Sequence, residues 1–411
     1  MTNKILQTLS VIFLFSFSVI AQEPCATDHV HAAMLQSNEN YRNDINALEQ
    51  QVQLILNKGQ NRNDERSTVY SIPVVVHVIH LGEPVGTGIN ISDAQIQAAI
   101  DGMNNRWRNF IGNGTDMEVQ FCLATVDPDG NPSTGINRVD GSAVPNYITM
   151  GANTGNASCG GANEQVIKDL SRWPVADYYN IWVVNIICGG WAGWAYYPNG
   201  NNYDGTTIRS TSMTGNSSIL AHEMGHGFFL YHTFEGDNGN MSCPPDADCV
   251  LWGDHICDTQ PHKQYDCGAI NPCSGNGTFD NSRYNYMSYC SGLDRFTPDQ
   301  KARVQATLAA PPRASLLLNT ICTGPAGIEK YSKEDLISVY PVPAENQITV
   351  YGLQFTIERA AVYDMLGNSC LSYQDKDQSQ TIDISALAPG IYFLKVSDTS
   401  GSNAVRKFIK M

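Results

Sequence analysis

Three histidines and one glutamate occur at a spacing suited to metal chemistry. They lie in the segment His222-Glu-Met-Gly-His226-Gly-Phe-Phe-Leu-Tyr-His232. On a helix, His222 and His226 are one turn apart and project from one face, so two neutral imidazoles can bind one Zn²⁺ there. Glu223 adjoins the first ligand and is placed to take a proton from a water molecule that the metal polarises. The pattern therefore predicts a hydrolytic zinc site with Glu223 as general base.

The third ligand requires the helix to end. In a continuous helix, His232 would lie about 15 Å along the axis from His222, and one metal could not reach both. The chain must therefore turn between His226 and His232. Phe229 stands three residues after the second histidine, where a positive φ would be strained for a bulky side chain. Either Phe229 tolerates that conformation or Gly227 reshapes the turn.

A second segment, Asn285-Tyr-Met287-Ser-Tyr289, lies downstream. A lone methionine is more often a core filler than a functional residue. A histidine pair four residues apart can also arise by chance on a surface helix. The third histidine, followed by this methionine segment, argues against chance.

The flanking sequence predicts strands and helices that would position the site. β-Branched residues predict a buried strand at 70–80, in which His77 and His80 are interpreted as structural rather than as ligands. Ser92 opens a helix with Ile96, Ile100, Met103 and Trp107 on one face. Further strands are predicted at 117–124 and 181–188, then a glycine-rich loop from Gly189, the zinc helix at about 217–228, and a helix capped by Thr297. This order indicates an α+β subdomain above the cleft.

Composition and the first residues indicate export. The 411-residue chain carries a net charge of −15 and has no basic run, which argues against nucleic-acid binding. Residues 1–21 resemble a signal peptide, with Lys4 before an apolar core and a small-residue cleavage site ending at Ala21. No other segment is long and apolar enough to span a membrane. Residues 22–66 are polar and helical in tendency, and we interpret them as a propeptide.

Twelve cysteines in an exported chain predict disulfides. Ten lie between Cys122 and Cys322, an even number that allows full pairing and leaves Cys25 and Cys370 free. A thiolate is a strong zinc ligand, so Cys25 in the propeptide could occupy the open coordination position and keep the site latent. A structural or unused Cys25 is the alternative.

Proline and glycine mark a boundary at residues 323–335, which we interpret as a linker. Residues 336–411 then contain short strands separated by turns and predict a small β-sandwich without catalytic residues. The domains expected are therefore the signal peptide, the propeptide, a zinc-binding domain at 67–322, the linker and the sandwich.

The central region resembles the pappalysin-like metzincins, the family of pregnancy-associated plasma protein A and the microbial cytophagalysins. The resemblance rests on Cys25-Ala-Thr-Asp, Ile72-Pro-Val-Val-Val-His, Ala221-His-Glu-Met-Gly-His226, Cys257-Asp-Thr, Asn285-Tyr-Met-Ser-Tyr and Phe296-Thr-Pro-Asp-Gln. The family's fold is a twisted sheet with an active-site helix above the cleft and a loop-rich lower subdomain.

The resemblance assigns a role to each matching residue. It implies zinc ligands at His222, His226 and His232, a catalytic Glu223, a structural Met287, a transition-state role for Tyr289 and a latency role for Cys25. It also implies structural Ca²⁺ at Asp254, Asp258 and Thr259, where a solvated acidic loop is the alternative. Phe229 departs from the family's glycine, and the segment after Tyr289 is short, so a specificity role for Asp294 is not carried over.

Residues 337–411 resemble the C-terminal sorting domain of type IX secretion, through Tyr340-Pro-Val-Pro-Ala, Val362-Tyr-Asp-Met-Leu-Gly, Leu387-Ala-Pro-Gly-Ile-Tyr-Phe and Lys407-Phe-Ile-Lys. The resemblance implies export through the periplasm by that machinery, to the medium or the cell surface. An ordinary binding module is the alternative.

The expected function is a secreted zinc endopeptidase, made as a latent zymogen, that acts on proteins or peptides. Two alternatives are open. The chain could be a zinc-binding surface adhesin whose activity is impaired by Phe229. It could also belong to a clan that uses a downstream glutamate as third ligand in place of His232.

Overall fold

The computed structural model describes residues 25–59, 69–154, 159–245, 247–275, 277–318, 322, 337–340, 344–352, 357–364, 368–377, 379–398 and 403–411. The predicted signal peptide, both ends of the propeptide and the linker at 323–335 lie outside the described residues. Within the described residues, no helix is long and apolar enough to cross a membrane.

A mixed sheet built around one long strand positions the site. Its strands are β1 (Tyr70–His80), β2 (Val119–Leu123), β3 (Ile136–Asp140), β4 (Tyr179–Val184), β5 (Gly193–Ala195) and β6 (Thr206–Arg209). The order is β2-β1-β4-β6-β5, and β3 also pairs with β1. All pairs are parallel except β5 with β6, so β5 is an antiparallel edge strand.

Within the part of the chain that the structure describes, seven α-helices accompany this sheet. They are α1 (Thr27–Ser37), α2 (Glu39–Gly59), α3 (Asp93–Trp107), α4 (Tyr147–Met150), α5 (Glu164–Asp169), α6 (Ile219–Gly227) and α7 (Pro298–Leu308). Ser92 caps α3 by accepting a hydrogen bond from the Gln95 amide, and Thr297 and Gln300 form a reciprocal capping box on α7. Helices α3 and α7 follow the predicted pattern and α6 is slightly shorter than expected, whereas α4 and α5 were not predicted.

Two apolar cores lie on opposite faces of the sheet. Because side chains alternate along a strand, Val74, Val76 and Val78 face one core and Ile79 faces the other. The first core packs α3 against α6, and the Trp107 indole donates to the carbonyl of Ala221. The second core includes apolar residues of α1 and α2, so the predicted propeptide completes a core that the rest of the domain begins.

The cysteine pairing agrees with the count made from the sequence. Five disulfides join Cys122–Cys322, Cys159–Cys188, Cys243–Cys273, Cys249–Cys257 and Cys267–Cys290. Cys25 and Cys370 are free. Three of the bridges hold the irregular region that follows the third histidine.

The C-terminal region forms two antiparallel sheets around one core. Its strands are β7 (Ile337–Tyr340), β8 (Gln347–Gly352), β9 (Ile357–Tyr363), β10 (Ser369–Asp377), β11 (Ser379–Asp383), β12 (Gly390–Asp398) and β13 (Asn403–Lys410). They are ordered β10-β9-β12-β13 and β11-β8-β7. The sequence predicted six of them and missed β10, whose Cys-Leu-Ser-Tyr-Gln-Asp run gives only a weak strand pattern.

Candidate metal centre and active site

Helix α6 is buried along nearly its whole length, and two glycines permit that burial. A side chain on Gly225 would place Cβ 2.3 Å from the sulfur of Met287. A side chain on Gly227 would place Cβ 1.9 Å from the hydroxyl of Tyr179. The helix can therefore approach both the methionine segment and strand β4 closely only because these positions lack a side chain.

The turn after α6 uses Phe229 rather than Gly227. Phe229 has a φ of +72° and is fully buried, whereas Gly227 remains the last helical residue. The Phe229 ring packs 5.7 Å from the ring of Tyr197 and 5.5 Å from that of Tyr231. Of the two possibilities left open by the sequence, the bulky residue itself adopts the strained conformation, and surrounding contacts compensate for it.

The turn brings the three histidines together. The Nε2 atoms of His222, His226 and His232 lie 3.1–3.2 Å from one another. Each Nδ1 donates to an oxygen: His222 to the Tyr286 carbonyl at 2.6 Å, His226 to the Leu230 carbonyl at 2.8 Å, and His232 to the Asp28 carboxylate at 2.9 Å. These bonds fix the tautomers, so all three Nε2 lone pairs face a common point.

This donor set fits Zn²⁺. Tetrahedral zinc with Zn–N bonds of about 2.0–2.1 Å places ligand nitrogens about 3.3 Å apart, close to the separations found. Burial lowers the pKa of His222 to about 3 and that of His226 well below its usual range, so both rings are neutral near pH 7. Three neutral imidazoles with converging lone pairs repel one another unless a cation lies between them.

Glu223 lies beside this point and is fully buried. Burial raises the pKa of its carboxyl group to about 8. Its Oε2 accepts from the Cys25 thiol at 3.2 Å, and Oε1 has no hydrogen-bond partner among the described residues. Gly193 leaves room for it, since a Cβ there would come within 3.0 Å of the Glu223 side chain. A buried carboxyl group with one free oxygen is suited to exchanging a proton with a reactant.

The segment that begins at Cys25 fills the cleft. The Cys25 sulfur lies within 4.8 Å of the ligand nitrogens of the three histidines. Its chain adds to the free edge of β5: the Ala26 amide donates to the Gly193 carbonyl at 2.9 Å, and the Thr27 hydroxyl bonds both the amide and the carbonyl of Ala195. Burial, followed by the neighbouring Glu223, raises the pKa of the Cys25 thiol in this arrangement.

The methionine segment supports the histidines from below. Met287 is fully buried in the core against α6. Asn285 accepts from the Met287 amide at 2.9 Å and exchanges two hydrogen bonds with Gln300, the residue that also caps α7. The Tyr289 hydroxyl donates to the Cys25 carbonyl at 3.1 Å and accepts from the Cys25 amide at 3.2 Å. Tyr289 therefore contacts the backbone of the blocking segment.

The predicted calcium residues are only partly together. The Thr259 hydroxyl donates to the buried Asp254 carboxylate at 2.7 Å, and burial raises the pKa of Asp254 to about 7. Asp258 is exposed and accepts from the Asp299 amide at 2.9 Å. Asp294 is occupied by Arg295 and Asn113, at 2.7 Å each.

Several contributors to the site were missed from the sequence. Strand β5 lies in the segment predicted as a glycine-rich loop, and its three residues carry too little strand signal. Asp28 lies in the Cys25-Ala-Thr-Asp segment, but no role was predicted for it. Arg303 and Arg313 donate to the carbonyls of Phe229 and Gly227, both at 2.8 Å, and thus hold the end of α6. Both arginines lie more than 70 residues after the carbonyls that they contact, so the sequence gives no signal for these contacts.

Comparison with known proteins adds two family matches. Residues 160–309 match the peptidase family described as pregnancy-associated plasma protein-A. Residues 338–411 match the secretion system C-terminal sorting domain. The first match contains all three histidines, Glu223 and the methionine segment.

Individual relatives agree. An extracellular metalloprotease of Pyricularia oryzae is 27% identical over 261 residues, 59% of this chain and 77% of the relative. An extracellular metalloprotease of Arthroderma otae is 26% identical over 265 residues, which cover 60% of this chain and 80% of the relative. The structure of a promirolysin mutant from Tannerella forsythia superposes with a TM-score of 0.50 at 24% identity, covering 71% of this chain and 96% of that one.

Fold and site thus define a secreted metalloendopeptidase. Residues 160–309 carry a peptidase domain of the pappalysin-like metzincins, and residues 338–411 carry a type IX sorting domain. The predictions of family, fold class and enzyme class are confirmed, and the relatives do not favour the impaired adhesin. The family implies zinc.

Proposed function

We propose that His222, His226 and His232 hold one catalytic zinc ion and that Glu223 is the general base. The observation that carries this proposal is the convergence of three oriented Nε2 atoms, 3.1–3.2 Å apart, beside a buried glutamate. When bound, zinc would act as a Lewis acid that polarises the scissile carbonyl and acidifies water.

The protein's own groups would transfer the proton, bind the substrate and stabilise the oxyanion. Glu223 accepts the proton of the attacking water and delivers it to the leaving amine. The substrate lies extended along the cleft, and the edge of β5 that now bonds residues 26–27 is available to its backbone once the propeptide leaves. Tyr289, freed from the Cys25 backbone, can then donate its hydroxyl to the developing oxyanion.

We further propose that residues 22–66 keep the precursor latent. Three contacts support this: the Cys25 sulfur faces the histidines and Glu223, residues 26–27 cover the β5 edge, and the Asp28 carboxylate accepts from His232. As a thiolate, Cys25 would supply a fourth ligand to the metal. Removal of the segment by a cut near residue 66 would open the cleft.

Two substitutions test the zinc and base assignments. Glu223→Gln is expected to keep zinc and lose peptidase activity, because the amide cannot accept the proton. His232→Ala is expected to lose zinc as well, since the third ligand is gone. Normal turnover by Glu223→Gln would refute the base. Full zinc retention in His232→Ala would point to a downstream glutamate ligand.

For calcium, we propose a structural site at Asp254, Asp258 and Thr259. The support is the family resemblance together with the Asp254 carboxylate, which is buried and accepts a hydrogen bond from the Thr259 hydroxyl. Adding Ca²⁺ should raise the melting temperature of the precursor, and Asp254→Asn should abolish that rise. An equal rise in melting temperature in the parent and in Asp254→Asn would show that these residues do not form a calcium site.

For export, we propose passage through the periplasm and recognition of residues 336–411 by the type IX machinery. Deletion of this domain is expected to leave the peptidase folded but trapped in the periplasm. Normal appearance of the truncated chain in the medium would contradict the assignment.

A further inference from the structure

The Phe229 turn needs support that the sequence motif does not explain. An L-residue with a side chain rarely adopts a φ of +72°, and here the residue is a buried phenylalanine. Surrounding contacts must therefore hold the backbone in this shape.

Arg303 on α7 makes the decisive contacts. Its Nε donates to the Phe229 carbonyl at 2.8 Å, and its guanidinium lies 4.6 Å from the centre of the Phe229 ring and 5.2 Å from that of Tyr231. The arginine is fully buried. The Arg303 side chain thus donates to the backbone of the turn and also packs on the ring of Phe229, the residue that replaces the family's glycine.

The held peptide is directly connected to the metal site. The next carbonyl, that of Leu230, accepts from Nδ1 of His226 at 2.8 Å. His232 follows two residues later. Any rotation of the Phe229 peptide would therefore move the oxygen that orients one ligand and the chain that carries another.

The charge of Arg303 is balanced by the propeptide. Its two terminal nitrogens bond the Glu49 carboxylate on α2, at 3.0 and 2.6 Å. Arg313, which holds the neighbouring Gly227 carbonyl, pairs instead with Asp204 inside the catalytic region. Of these two arginine pairs, the Arg303 pair is the one that removal of the propeptide would break.

We propose that Arg303 is a positioning residue for the zinc site, which holds the Phe229 turn in shape, and that Glu49 provides its counter-charge until maturation. This inference rests on the proposed zinc site. It assigns the propeptide a second effect besides blocking the cleft, because it anchors the side chain that shapes the ligand turn.

A double-mutant cycle tests the proposal. The full chain carrying Glu223→Gln, to prevent self-cleavage, is compared with Arg303→Gln, Phe229→Gly and the double variant. Zinc affinity is measured by competition with a chelator. Arg303→Gln is expected to weaken zinc binding about 10- to 100-fold. The same change should cost much less in the glycine background, because glycine adopts the positive φ unaided.

Two further variants sharpen the result. Glu49→Gln should weaken zinc binding less than Arg303→Gln, since the bond to the Phe229 carbonyl remains. Arg138→Gln, which removes an arginine paired with Asp93 away from the site, should leave zinc affinity unchanged.

Failure of the Arg303 proposal and failure of the zinc site would give different results. Unchanged zinc affinity in Arg303→Gln, or an equal loss in both backgrounds, would overturn the proposal. If Arg303→Gln does not fold, the double variant is expected to fold, and failure of both would also overturn it. A parent chain that binds no zinc would instead contradict the zinc site itself.

Discussion

Replacing Asp204 by asparagine should destabilise the catalytic region strongly. One carboxylate oxygen accepts from Arg313 at 2.8 Å and from the amides of Asn199 and Gly200 at 3.1 and 2.8 Å, and the other accepts from Arg313 at 2.6 Å. The pair is almost fully buried, with side-chain exposures of 2% and 3%. Asparagine would keep one oxygen and direct an NH₂ group at another donor.

The size of the effect follows from this burial. Removing one partner of a buried ion pair costs about 3–5 kcal/mol, because the remaining charge stays desolvated. For a domain of this size, that corresponds to a fall in melting temperature of about 6–20 °C. Arg313 also donates to the Gly227 carbonyl, so the end of the zinc helix should loosen at the same time.

The assay is thermal unfolding followed by tryptophan fluorescence, in chains carrying Glu223→Gln. The control is Asp93→Asn, which removes the partner of Arg138 from a pair in which the aspartate is 64% exposed. That control should cost about 1 kcal/mol or less. If Asp204→Asn shifts the melting temperature no more than the control, the anchoring role of the Arg313 pair is refuted.

Three further predictions concern latency and packing. Cys25→Ala should shorten the latent phase of the precursor, and activation kinetics identical to the parent would exclude the thiol as a switch. Gly227→Ala should cost about 1–3 kcal/mol because its Cβ overlaps the Tyr179 hydroxyl; Gly275→Ala, with open space around it, is the control. Burial opposes ionisation of Glu49, but Arg303 outweighs it and lowers the pKa of this carboxyl group in the bound propeptide. Retention of a cut propeptide should therefore weaken as the pH falls below 4.5, the ordinary pKa of a glutamate side chain. Glu49→Gln should show less of that weakening, and an unchanged pH profile in this variant would contradict the pair's role.

Much of the architecture could be predicted because the signals are local. The long run of β-branched residues identifies β1, and the capping residues Ser92 and Thr297 identify α3 and α7. The even number of central cysteines predicted which two remain free. The spacing of the histidines required a turn after α6, and the structure has that turn.

The remaining features depend on contacts distant in sequence. Strand β5 has only three residues, and pairing with β6 and with residues 25–27 defines it. Phe229 has no local preference for a positive φ, and Arg303, 74 residues away, stabilises it. The partner of His232 is Asp28, 204 residues earlier, so no spacing rule could connect them.

The most direct test is the zinc content of the purified mature chain, starting at about Ser67, measured together with cleavage of gelatin and a mixed peptide library with and without a chelator. The account predicts one zinc ion per chain and cleavage that the chelator abolishes. One zinc ion without any cleavage would contradict the catalytic assignment and identify the Phe229 turn as the cause to examine. Absence of zinc would contradict the assignment of His222, His226 and His232 as its ligands.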